Sequence, residues 1–221
     1  MEQIQKLAHC VEFGKVNRAS PYPPDMKDQD GADEISRQLL EDGIPAERVL
    51  QEGLIVGMER VGVKFRENKI FVPQVLMSAK AMSSAMAHLR PYFISGAVKS
   101  KGKFIIGTVE GDLHDIGKNL VSMMLEGNGF KVIDLGTNVK TERFLQAIDE
   151  NPGSFLGLSA LLTTTMVNME KIVRVVKESY PELKVLIGGA PVNDDFRKRI
   201  NADFYAPDPQ GAVEYLKKII A

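Results

Sequence analysis

The spacing of apolar residues changes once along this chain, and that change restricts the fold more than any other feature. Up to about Ser95 the apolar positions recur at helical intervals; beyond Gly102 they gather into short β-rich runs that alternate with helical stretches. A single uniform architecture cannot satisfy both periods. The pattern predicts a helical domain over 1–94, a small, basic linker over 95–102 and an α/β domain over 103–221.

In the first part, Val75, Ala79, Met82, Met86 and Leu89 follow one another in alternating steps of four and three, which places them on one helix face. Pro73 suits the first turn of that helix, and the helix is expected to end near Pro91. Val49, Leu50, Leu54, Met58 and Val61 form the stripe of another helix running to about Phe65; Ile35 and Leu39 belong to one stopped by Gly43, and Ile4, Leu7 and Val11 to a short first helix. Between the first two, three prolines in Ala19–Asp25 exclude helix and strand interiors, so Arg18–Asp30 is expected to be an exposed, extended insertion.

In the second part, strands are predicted at Phe104–Ile106, Val132–Leu135, Phe155–Leu158, Val185–Ile187 and Phe204–Tyr205, with helices at about Gly117–Glu126, Thr141–Asp149, Val167–Ser179, Asp194–Arg199 and Gln210–Ile220. Strand and helix alternating five times imply a parallel sheet with helices on both faces, a doubly wound fold.

Composition narrows the function. Lys and Arg number 28 against 29 Asp and Glu, a net charge of −1, with no basic footprint for nucleic acid. No apolar run approaches the ~20 residues of a membrane span, and the first residues lack a signal peptide's apolar core, so a cytoplasmic protein is expected. One cysteine, Cys10, cannot close an internal disulfide, and His9, His88 and His114 are too few for a protein-only zinc site. Any transition metal here must bring most of its ligands with it.

Ligands of doubly wound folds sit at the carboxyl ends of the strands. After the first strand comes Glu110-Gly111-Asp112-Leu113-His114-Asp115-Ile116-Gly117; after the third, Ser159 to Thr165; after the fourth, Gly188-Gly189-Ala190. The first loop has no G-x-G-x-x-G and no P-loop lysine pattern, and its three carboxylates would repel a pyrophosphate. Ser159 stands where a phosphoacceptor Asp would be needed, no Trp is present to stack on a flavin, and Gly157-Leu158-Ser159-Ala160-Leu161 breaks the nucleophile elbow at its second glycine. Asp112, two residues before His114, can accept from one ring nitrogen and leave the other for a metal; the alternative is a solvated loop histidine. Gly188-Gly189 is either a turn or room for a bulky ligand, and Ser159, Thr163 and Thr165 are either ligand contacts or turn hydroxyls.

Taken together, Asp112-x-His114-x-x-Gly117, Ser159-x-Leu161 and Gly188-Gly189, on three successive loops, resemble the cobalamin-binding signature of B12-dependent methyltransferases and mutases. Gly62–Phe65, Ile70–Val75 and Ser78–Met82 resemble the helical cap of methionine synthase and of small corrinoid proteins, so that the likeness runs from about Ala32 to Ala221. It implies a four-helix cap followed by a Rossmann-like (flavodoxin-like) five-stranded domain. It further implies cobalamin bound base-off and histidine-on, with His114 as the lower cobalt ligand, Asp112 as its carboxylate partner and Thr165 completing the relay where methionine synthase has serine. By the same resemblance Gly111, Leu113, Asp115, Ile116 and Gly117 lie against the cofactor, and Ser159, Leu161, Thr163, Gly188 and Gly189 line the slot for its nucleotide tail. Tyr205 and Pro209 close around the nucleotide end, Pro209 standing where methionine synthase has alanine. Phe65 and Val72 cover the upper cobalt face, or else are plain core.

The function the resemblance implies is that of a non-catalytic methyl carrier. A substrate-specific methyltransferase loads a methyl group onto cobalt, a second methyltransferase delivers it to tetrahydrofolate or a thiol cofactor, and a reductive activase serves the carrier. Neither nucleic acid nor membrane is expected as a partner. The methyl donor is left open among methoxylated aromatics, methanol, methylamines and quaternary amines. The alternative is a cobalamin-dependent sensor or regulator, for which the segment before Ala32 is short and proline-broken; a third reading is a doubly wound domain with no cofactor.

Overall fold

The computed structural model describes residues 2–220. It divides into two compact units, Met1–Ser100 with Gly127–Gly129, and Lys101–Glu126 with Phe130–Ala221.

The first unit is helical: α1 (Glu2–Phe13), a 3-10 turn (Pro24–Met26), α2 (Ala32–Glu41), α3 (Ala46–Arg48) continued through a π-helical stretch (Val49–Ile55) into α4 (Val56–Arg66), and the long α5 (Val72–Ile94). The stripe Val49, Leu50, Leu54, Met58 and Val61 is buried, and a Leu→Ala change within it would cost about 2–5 kcal/mol. Gly57 allows α1 to close on this helix, since a Cβ there would lie 2.7 Å from the Ala8 carbonyl oxygen. Two expectations are corrected. Helix α5 does not end at Pro91 but carries it inside and runs to Ile94. A proline in the last turn forfeits one N–H, and the helix is closed instead at Gly96, with φ +76 and its N–H donating to the Phe93 carbonyl. The proline-bearing segment is neither wholly exposed nor extended. It contains the 3-10 turn, buries Pro23 and Met26, and is tied down by the buried Lys15, whose Nζ donates to the Ser20 carbonyl at 2.8 Å.

The second unit comprises β1 (Lys103–Thr108), α6 (Ile116–Glu126), β2 (Lys131–Asp134), α7 (Thr141–Glu150), β3 (Phe155–Ser159), a 3-10 turn (Thr163–Thr165), α8 (Met166–Ser179), β4 (Val185–Gly188), α9 (Asp194–Arg199), β5 (Phe204–Tyr205) and α10 (Pro209–Ile220). The strands form one all-parallel sheet in the order β2-β1-β3-β4-β5, with Ile106 opposite Gly157 and Leu158 opposite Ile187. Strands covered on both faces need apolar side chains on both, which is why β1, β3 and β4 read as continuous apolar runs instead of alternating ones. Ile105, Leu156, Leu158, Val185 and Ile187 meet Phe144, Val173 and Val176 from the helices in one core. From β1 the strand order runs outward one way to β2 and the other way to β3, β4 and β5, so the switch point lies where the loops after β1 and β3 meet.

Candidate functional site

At that switch point the loops after β1 and β3 are joined by one carboxylate. Asp112 has no solvent-exposed surface, and both of its oxygens are engaged. Oδ1 accepts from His114 Nδ1 at 2.8 Å and from the His114 backbone N–H at 3.1 Å. Oδ2 accepts from the Leu161 N–H at 2.7 Å, the Leu162 N–H at 3.2 Å and Thr165 Oγ1 at 2.8 Å. Burial by itself pushes the Asp112 carboxyl up, but the hydrogen bonds from His114, Leu161 and Thr165 outweigh it and hold the carboxyl well below the usual carboxylate range. Asp112 is therefore an anion at neutral pH, able only to accept, which makes His114 Nδ1 the donor.

His114 is thereby fixed in one tautomer, with the lone pair on Nε2. Its side chain is 52% exposed, and among the described residues nothing pairs with Nε2. The backbone under it is also held: buried Thr108, at the end of β1, donates through Oγ1 to the His114 carbonyl at 2.9 Å. One turn on, the buried Lys118 pairs with Asp134 at the end of β2, tying the start of α6 to the sheet. Asp115 accepts from Asn119 Nδ2 at 3.0 Å and so serves α6 locally.

The remaining residues singled out from the sequence fall in several places. Ser159 ends β3, with its carbonyl accepting from the Val109 N–H at 3.0 Å, and Thr163 is exposed at the start of the 3-10 turn. Gly188 ends β4. Gly189 has a reason internal to the chain: its φ is +126, and a Cβ would lie 1.8 Å from the Ala160 carbonyl oxygen. Tyr205 packs partly buried against the sheet core and Pro209 opens α10. Gly111 and Gly117 are exposed in the β1–α6 segment. Phe65 and Val72 belong to the helical unit, half-buried in the last turn of α4 and the first of α5. The structure thus brings Asp112, His114, Leu161 and Thr165 into one hydrogen-bonded group.

Sequence reasoning missed three residues that hold this group: Thr108, Asn138 and Asn168. Asn168, on α8, donates through Nδ2 to the Glu110 carbonyl at 2.8 Å. Asn138 bonds to the Gly111–Asp112 segment. Only its place in a turn after β2, where asparagine favours left-handed backbone, gave a signal.

The surroundings fit a corrinoid. Leu113 and Ile116, 72% and 68% exposed, flank His114, and Leu161 and Leu162 on the loop after β3 and Val167 in the first turn of α8 are exposed as well. Large apolar side chains left in water around an imidazole suit a flat, apolar macrocycle better than a polar substrate. A lone free imidazole nitrogen suits a metal that arrives with its other ligands.

Comparison with known proteins agrees with this geometry. Two family models match, each described as a B12 binding domain, one over residues 102–214 and the other over 27–90. A corrinoid protein of Desulfitobacterium hafniense is 39% identical over 198 residues, which cover 87% of this chain and 92% of that protein. The trimethylamine corrinoid protein of Methanosarcina barkeri is 39% identical over 194 residues, 86% of this chain and 89% of its own length. Among solved structures, the methanol:cobalamin methyltransferase complex MtaBC of Methanosarcina barkeri superposes with a TM-score of 0.82 at 31% identity, covering 99% of this chain and 80% of that one. This chain belongs to the B12-binding family, and its relatives are corrinoid proteins of methyltransferase systems.

Proposed function

We propose that this chain is the corrinoid subunit of a methyltransferase system, carrying a methyl group between a substrate-specific methyltransferase and a second one that serves tetrahydrofolate or a thiol cofactor. Residues 1–94 are its cap domain, 95–102 a linker and 103–221 its cobalamin-binding domain. A reductive activase belongs to the same reading. The carrying observation is the state of His114, with Nδ1 tied to a buried anion and Nε2 free beside exposed apolar side chains. The names of the relatives, which include dimethylamine and trimethylamine corrinoid proteins and a methanol methyltransferase complex, support a methyltransferase partner.

When bound, the corrinoid would supply a cobalt centre that brings ring nitrogens of its own and can carry a methyl group. His114 would offer Nε2 to that centre in place of the cofactor's benzimidazole. Asp112 keeps the proton on Nδ1 and so directs the Nε2 lone pair outward. Thr165 and the Leu161 and Leu162 N–H groups hold the Asp112 anion in place.

The test is reconstitution of the full chain with hydroxocobalamin, for the parent and His114→Ala. The variant should keep its far-ultraviolet circular dichroism and lose the histidine-on visible spectrum. Identical visible spectra would refute the ligand assignment.

A further inference from the structure

The segment that carries Asp112 is gripped from the β2 side by one side chain. Asn138 lies between β2 and α7 at φ +54, a left-handed conformation that asparagine tolerates better than most residues. Its Oδ1 accepts from the Gly111 N–H at 2.8 Å, and its own N–H donates to the Asp112 carbonyl at 2.9 Å. These bonds hold the peptide group before Gly111 and the one after Asp112. Their neighbours are zipped as well: the Val139 N–H donates to the Thr108 carbonyl at 3.0 Å, and Val109 and Val139 form a parallel bridge. With the backbone held at both ends, the Asp112 side chain points toward His114 and Thr165.

We infer that Asn138 is a positioning residue for cobalt ligation, acting through Gly111 and Asp112 and touching neither metal nor macrocycle. The inference rests on the reading of His114 as lower ligand. Asn138→Gly separates its two contributions: glycine keeps the positive φ and the backbone N–H but removes the acceptor for Gly111. Asn138→Asp keeps an acceptor oxygen and tolerates the same backbone.

The test uses the full chain labelled with ¹⁵N-histidine, reconstituted with hydroxocobalamin and reduced to the paramagnetic cobalt(II) state. Axial ligation by labelled imidazole splits the electron paramagnetic resonance lines into doublets, whereas the cofactor's own benzimidazole would give triplets. At the pH where the parent is half coordinated, Asn138→Gly should lower the ratio of coordinated to uncoordinated centres about fivefold, the loss expected for one neutral hydrogen bond. Asn138→Asp should return it to within about twofold of the parent. A ratio unchanged in Asn138→Gly, or Asn138→Asp no better than Asn138→Gly, overturns the inference. His114→Ala separates the two levels: doublets surviving there sink histidine ligation itself, while doublets lost there with the ratio intact in Asn138→Gly sink only the role of Asn138.

Discussion

Two carboxylates sit at opposite ends of the same parallel sheet, each with little or no exposure, and they differ in what donates to them. Asp112, beyond the carboxyl end of β1, takes backbone N–H groups, a threonine hydroxyl and an imidazole. Asp203, just before β5 at the amino ends of the strands, takes Lys177 Nζ at 2.5 Å, Lys184 Nζ at 3.3 Å and the Val185 N–H at 2.8 Å. At both, burial pushes the carboxyl up and hydrogen bonding more than reverses it. At Asp203 the compensating charge comes from lysines, so the anion is neutralised where it stands and joins α8 to the sheet. At Asp112 the donors are backbone N–H groups, a hydroxyl and an imidazole, so no lysine or arginine stands beside the anion. A buried anion is structural or functional according to whether its countercharge is permanent.

The largest effect that should separate the two is Asp112→Ala. It leaves the Leu161 and Leu162 N–H groups without their acceptor, and should cost about 3 kcal/mol in urea unfolding at neutral pH while abolishing the histidine-on spectrum of the cobalamin-loaded protein. Asp203→Ala should cost about 2 kcal/mol in the same experiment and leave that spectrum as in the parent. A spectral change there would erase the distinction. Thr165→Ala, which removes one neutral donor, should cost about 1 kcal/mol and weaken His114 coordination modestly, with Thr165→Ser restoring both.

The smallest effect is the pH dependence. Both carboxyls titrate below their unfolded values, so each contributes stability that is fully present above the ordinary carboxylate range, at about pH 4, and is lost as pH falls through the lowered folded value. Urea midpoints of the parent should therefore change little from pH 7 down to about 5 and drop steeply below about 4. Either alanine variant should show a shallower drop, and equal slopes in all three would remove these two groups from the acid response.

Much of the fold was legible because it rests on local pattern. The switch from helical to strand-and-helix spacing near Gly102 separates the helices α1–α5 from the five parallel strands that follow, and the apolar stripe Val49 to Val61 is buried as its spacing requires. The errors arose where a local rule met a tertiary contact. Pro91 breaks a helix only where its missing N–H matters, and in the last turn of α5 it does not. Three prolines within four residues suggested an exposed insertion, but the buried Lys15 and Met26 fold that segment down. In the site, Asp112 and His114 stand out because a single residue separates a carboxylate from an imidazole on a loop. Asn138 and Asn168 do not, because a hydrogen bond spanning tens of residues leaves no periodic trace.

From the sequence alone follow the helical and strand segments, the parallel class of the sheet and the family, since these depend on residue type and on spacing along the chain. The order β2-β1-β3-β4-β5, and with it the meeting of the Asp112 loop with Leu161 and Thr165, was decided only by tertiary structure. The physical reason is that a carboxylate recovers the cost of its burial from donors about fifty residues away, and only the packed sheet brings them within 3 Å.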